Sequence, residues 1–168
     1  YRLKRAYCYY SSQHYDEALE DYVVLLEVDE KDRQALVGRA HTHILRKDYA
    51  SALKDYRKLS RMEPKNGDYL HNIAWILAET GEIADAMAKA EKALAQKPYD
   101  FRIHNMLGWW YPHLDQLDMA MKHAHRACEI GANMAYTFDT RAQIHWLKGD
   151  YQAAMDDYDT AIHFGDTP

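Results

Sequence analysis

Cysteine is almost missing from this chain: Cys8 and Cys128 are its only two in 168 residues. So few, and so far apart, they cannot form a disulfide framework. They read as free packing thiols and favour a reducing compartment, so a cytoplasmic location is expected. Glycine is also scarce, at seven residues, while hydrophobic residues make up 48%. That balance suits an ordered helical protein and argues against disorder. No uncharged apolar run is long enough to cross a bilayer, so direct membrane insertion is not expected. The start lacks a signal-like segment and opens on Tyr1 rather than Met, as an excised or trimmed piece would. With a formal net charge of −5, the chain lacks the basic excess that nucleic acid demands. There is no Gly-rich phosphate loop, nucleophile elbow or paired catalytic motif, so neither catalysis nor a cofactor is expected.

What the chain does have is a period. Ala18, Ala52, Ala86, Ala120 and Ala154 recur every 34 residues. Ala6, Ala40, Ala74, Gly108 and Ala142 form a second series, twelve residues ahead of the first. No insertion breaks the register. A small residue at fixed phase lets two helices approach closely, so each period reads as one helix hairpin with two tight crossings.

The second period shows the pattern in detail. The spacing of Leu36, Ala40, His43 and Ile44 predicts a helix from about Arg33 to Arg46. A turn at Lys47 and Asp48 follows. Tyr49, Ala52, Leu53, Tyr56 and Leu59 predict a second helix from about Tyr49 to Met62, which Pro64 stops. Gly81 and Gly149 stand at the first turn of their periods, where a left-handed residue is easiest for glycine. Gln13, Lys47 and Asp115 hold that place elsewhere, at a cost in strain.

This phasing resembles the tetratricopeptide repeat, a 34-residue unit with small residues at its eighth and twentieth positions. Leu107-Gly108-x-x-Tyr111 matches its Leu-Gly-x-x-Tyr signature. Tyr15-x-x-Ala18 and Tyr151-x-x-Ala154 match the start of its second helix. The nearest rival, a pentatricopeptide array, has a period one residue longer and would slip over five units. The resemblance implies an all-α, right-handed α-solenoid of five helix-turn-helix repeats. Residues 1–168 form a single domain on this reading, with repeats at about 1–32, 33–66, 67–100, 101–134 and 135–168.

Arg5, Arg39 and Arg141 occupy the seventh position of periods one, two and five, where the family usually buries a leucine. The same periods place Asp21, Asp55 and Asp157 at position twenty-three. Periods three and four have Ile73 and Leu107 with Lys89 and His123 instead. In an antiparallel hairpin whose positions eight and twenty touch, seven and twenty-three lie close. Three structural ion pairs are therefore expected, because a charge near the core needs a partner.

First helices of the family line the concave side of the array. Carrying those positions over gives a candidate groove. His41 comes from period two, and His71, Asn72 and Trp75 from period three. Arg102, Asn105, Trp109 and His113 come from period four, and Tyr136, Asp139 and Gln143 from period five. Trp75 and Trp109 lie one period apart and are expected side by side. Tryptophans beside hydrogen-bonding groups are what a peptide-binding hot spot uses. They are also residues that pack against a neighbouring second helix, and both readings stay open. The family's carboxylate clamp for chaperone tails is not expected, since its places hold Val37, His41, Asn72, Arg102 and Met106.

Period two carries nine Lys and Arg against three acids, while periods one and five are each at −4. Its cluster of Arg46, Lys47, Lys54, Arg57, Lys58, Arg61 and Lys65 reads as a solvated face or a dock for an acidic partner. His41-x-His43 and His123-x-His125 put each pair on different helix faces, about 200° apart, so no metal site is expected. Pro112, inside a predicted helix, should kink it. The expected function is a non-catalytic scaffold binding a peptide or protein segment. The rivals are a self-association module and the regulatory part of a larger enzyme. Self-association is suggested by Met155, Ile162 and Phe164, which no capping helix follows before Gly165-Asp166-Thr167-Pro168.

Overall fold

The computed structural model describes residues 1–165; Asp166, Thr167 and Pro168 lie outside the described residues. The helices are α1 (Arg2–Ser11), α2 (Tyr15–Val28), α3 (Arg33–Leu45), α4 (Tyr49–Met62) and α5 (Gly67–Glu79). They continue with α6 (Ile83–Gln96), α7 (Phe101–Trp110), α8 (Leu117–Ile130), α9 (Ala135–Leu147) and α10 (Tyr151–Gly165). A 3₁₀ turn, Tyr111–Leu114, follows α7, and no strand occurs among the described residues.

Local chemistry sets the helix starts. Asp32 accepts from the backbone N–H groups of Gln34 and Ala35 at α3, and Asp48 accepts from Ser51 at α4. Asn66 caps α5 and Asp100 caps α7 in the same way. Each satisfies donors that a helix cannot satisfy itself. The first turns are left-handed throughout: φ is +87° at Gly81 and +81° at Gly149. Gln13, Lys47 and Asp115 adopt the same region with φ of +64°, +59° and +56°, a conformation L residues resist.

The chain forms two compact units, Tyr1–Glu82 and Ile83–Pro168. In the first, α1 pairs with α2 and α3 with α4, while α2 also packs on α3 and α4 on α5. Ala6, Ala18, Ala40, Ala52 and Ala74 are all fully buried. Tyr22 and Tyr56 fill the space between hairpins, and burial pushes the Tyr22 hydroxyl up to about 12. Tyr22 reaches α3 only because position 38 is glycine: a Cβ there would stand 2.4 Å from its ring.

In the second unit α7 pairs with α8 and α9 with α10, while α6 packs on α7 and α8 on α9. Ala86, Gly108, Ala120, Ala142 and Ala154 are all buried. The Cys128 thiol is buried and donates to the Thr137 carbonyl across the α8–α9 contact. Cys8, by contrast, is exposed, which corrects its reading as a packing thiol. It lies late on α1, on a face that nothing in its unit covers. Pro112 has no N–H to offer the preceding turn, so α7 stops at Trp110 and the chain tightens into the 3₁₀ turn. Phe164 is not left bare: its ring packs on Phe138 at 5.6 Å.

Candidate functional site

The three arginines and aspartates of periods one, two and five meet within their hairpins. Arg39 donates through Nε (2.8 Å) and Nη2 (2.7 Å) to the two oxygens of Asp55. Arg141 holds Asp157 the same way at 2.8 and 2.6 Å, and Arg5 holds Asp21 at 2.7 and 2.6 Å. The aspartates are buried in all three. The arginines are not equal: their side chains are 57%, 24% and 20% exposed for Arg5, Arg39 and Arg141. Arg5 is therefore the most exposed of the three, contrary to the expectation of a guanidinium near the core. The Arg5 hydrogen bonds, with those of Arg2, hold the Asp21 carboxyl below the usual carboxylate range despite its burial.

Period four solves the same position differently, and nothing in its sequence announced how. His123 takes the place of the aspartate, and its Nδ1 lies 3.0 Å from His104 Nδ1 on α7. His104 Nε2 faces the Pro98 carbonyl at 3.2 Å. A carbonyl only accepts, so His104 carries its proton on Nε2 and its Nδ1 accepts from His123. Tyr111 stacks on His123 at 5.4 Å and donates its hydroxyl to Glu91, 2.8 Å away. Burial, then the neighbouring His104 and Lys122, push His123 down to about 4. Burial also lowers His104.

The candidate groove residues have unequal surroundings. In the first unit, Trp75 is half-buried with its ring edge-on to Tyr49 at 5.9 Å. Asn72 donates its amide to the Asp68 carbonyl of its own helix. His41 is half-buried beside Tyr56, and burial lowers its pKa. His71 is likewise half-buried on α5. In the second unit, Trp109 is 45% exposed and His113 is exposed. Arg102 carries its own counterion, since Asp100 takes its Nε at 3.0 Å and Nη2 at 2.6 Å. Asn105 Oδ1 is buried without a hydrogen-bond partner among the described residues. Tyr136 packs its ring near Phe101, and Gln143 donates to Asp139 one turn back.

Trp109, His113 and Gln143 come together around a cavity of about 110 Å³ between α7 and α9. Gly108, Thr140 and Ile144 also line it, with Pro112 and Leu147. It opens where the 3₁₀ turn replaces the last turn of helix. The lining is mostly apolar, and the volume suits one side chain. Among the described residues, no group of three or more His, Cys, Asp or Glu is placed to hold a metal ion. No helix among them is long and apolar enough to cross a membrane.

Family models described as Tetratricopeptide repeat match residues 3–59, 46–101 and 135–162. The matched segments leave out 102–134, the stretch holding Pro112 and the histidine pair. Among curated proteins none matches. Solved structures share the fold at low identity. MamA from Desulfovibrio magneticus RS-1 has a TM-score of 0.85 at 16% identity, covering 98% of this chain and 93% of that one. PilF of Pseudomonas aeruginosa has 0.85 at 18%, covering 99% and 76%. YrrB, described as having an unusual peptide-binding site, has 0.74 at 20%, covering 99% and 86%. These are all-α repeat solenoids, and this chain has their fold.

Proposed function

Because the chain belongs to the tetratricopeptide repeat family, we propose that it is a non-catalytic scaffold whose first helices hold a peptide or protein segment. Residues 1–168 act as one tandem domain in this reading. The observation that carries it is the cavity beside Trp109 in the second unit. An exposed indole next to an apolar hole of side-chain size is how an interface seats an anchor residue. Gln143, His113 and Thr140 supply polar groups around it. The peptide-binding site described for YrrB supports the same class of partner. Arg102 is held by Asp100, so an apolar anchor rather than a terminal carboxylate is the chemistry this groove favours. Trp109→Ala should weaken ligand binding by ~2 kcal/mol or more while the melting temperature changes little. An unchanged affinity with a large fall in melting temperature would make Trp109 a packing residue and end this reading.

A second reading, self-association, rests on α10. Ile162 is 60% exposed, whereas the residues at its place in periods one and four, Leu26 and Cys128, are buried. Met155 and Tyr151 are exposed on the same helix. Light scattering over a range of concentration should then show a growing mass. A strict monomer at high concentration would remove this reading.

A further inference from the structure

The three arginine–aspartate pairs are chemically alike, but their surroundings are not. One period apart, the same three positions on the second helix hold Glu20, Val24 and Glu27 beside the first pair. They hold Lys54, Lys58 and Arg61 beside the second, and Asp156, Thr160 and His163 beside the fifth. The first and fifth pairs form without cations there, so the cations of period two are surplus to the fold.

They border a basin of about 530 Å³ between α2 and α4, on the side of the second helices. Arg39 lies in its wall with Nε and Nη2 given to Asp55. Its Nη1 makes no hydrogen bond among the described residues, while the Nη1 of Arg141 faces His125 at 3.3 Å. The counterpart of His125 in this basin is Val23, which cannot accept a proton. Lys58 leans on Glu30 at 3.4 Å, but Lys54 and Arg61 have no ion-pair partner among the described residues. Unused guanidinium donors, two uncompensated cations and an apolar wall of Val23 and Leu26 converge on one hollow.

We propose that this basin is a second binding site, which docks an acidic protein segment. Its carboxylates meet Lys54, Arg61 and the free edge of Arg39, and an apolar side chain lies on Val23 and Leu26. Spaced side-chain carboxylates fit better than a continuous phosphate backbone or an anionic bilayer. Glu27 and Glu30 on the opposite rim would repel a broad field of negative charge.

The test is fluorescence anisotropy of the full chain with a labelled peptide of Asp and Glu around a single Leu. Its control is the same peptide with Asn and Gln. The acidic peptide should bind, more weakly as salt rises, and the control should not. Lys54→Glu with Arg61→Glu should weaken binding by about tenfold or more, from two lost charge contacts. The variant should keep the wild-type melting temperature, since neither residue has a partner to lose. Trp109→Ala should leave this binding unchanged, which separates the basin from the groove. Absence of binding, equal binding of the control, or indifference to the charge reversal would overturn the proposal. So would tighter binding of single-stranded RNA or anionic vesicles lost in the same variant, which would assign the basin to another class of partner.

Discussion

Arg39–Asp55 in the first unit and His104–His123 in the second join a first helix to a second helix from the same place on the latter. One contact is between full charges and the other between neutral rings. The carboxylate reaches position seven; the imidazole reaches one turn back, to position four, because Leu107 offers no polar partner at seven. Period three uses neither, with Ile73 buried and Lys89 exposed. The hairpin therefore does not require an ion pair. It requires that whatever polar group sits at position twenty-three be matched or reach water.

The largest expected effect tests that statement. Arg39→Leu should destabilise by about 3 kcal/mol, because Asp55 stays buried without its partner. Adding Asp55→Leu should recover much of the loss, as period three implies. Denaturant melts of both single variants and the double give the coupling energy, and additive effects would mean the contact contributes nothing.

Acid should tell the two solutions apart. Folded His123 titrates near 4, below its ordinary 6.5, so its stability is complete above 6.5 and is lost as pH falls toward 4. Burial is the main cause; His104 and Lys122 deepen it, while Glu91 opposes it. Asp21 is also held below its ordinary 3.8, so its share is lost only below that. Melting at pH 7 and pH 4.5 should differ by about 1–2 kcal/mol from the histidine pair, after solvent screening. His123→Leu should shrink the difference. An unchanged difference would place the acid sensitivity elsewhere.

Arg5→Leu should cost less than Arg39→Leu, since Arg5 is mostly exposed and Arg2 still holds Asp21. Equal costs in thermal melts would mean that exposure of the arginine is irrelevant. The smallest effect belongs to the turns. Lys47→Gly should stabilise by about 0.5–1 kcal/mol by relieving a left-handed lysine, and Gly149→Lys should destabilise similarly. No gain from Lys47→Gly would mean that the turn is not strained.

Much of this was legible in the sequence. The alanine series located the crossings of α1 with α2, α3 with α4, α7 with α8 and α9 with α10; α4 spans Tyr49–Met62 as its periodicity predicts, and α3 ends one residue short of Arg46. Pro112 marked the end of α7, and the non-glycine turns marked positive φ. What escaped was chemistry without a repeating signal. His104 carries no formal charge to betray a partner, and its contact exists once in five periods. The tie between Arg102 and Asp100 is a local turn, which register arguments overlook. The hole beside Trp109 depends on where helix yields to 3₁₀, and only the path of the backbone reveals that.

The close fit of Tyr22 against Gly38 bears on how such hairpins can be recombined. Each arginine–aspartate pair lies inside one hairpin, so a hairpin could be moved without stranding a buried carboxylate. The tyrosine, however, crosses from period one into period two, and any side chain at position 38 would collide with its ring. Tyr56 makes no such demand on period three, where Asn72 stands at the corresponding place and the ring lies 6.4 Å from Tyr69. The seam between periods one and two therefore accepts only a follower with glycine at that position. In a shuffled library of these repeats, that junction would act as a filter on order, although the alanine register treats every junction alike.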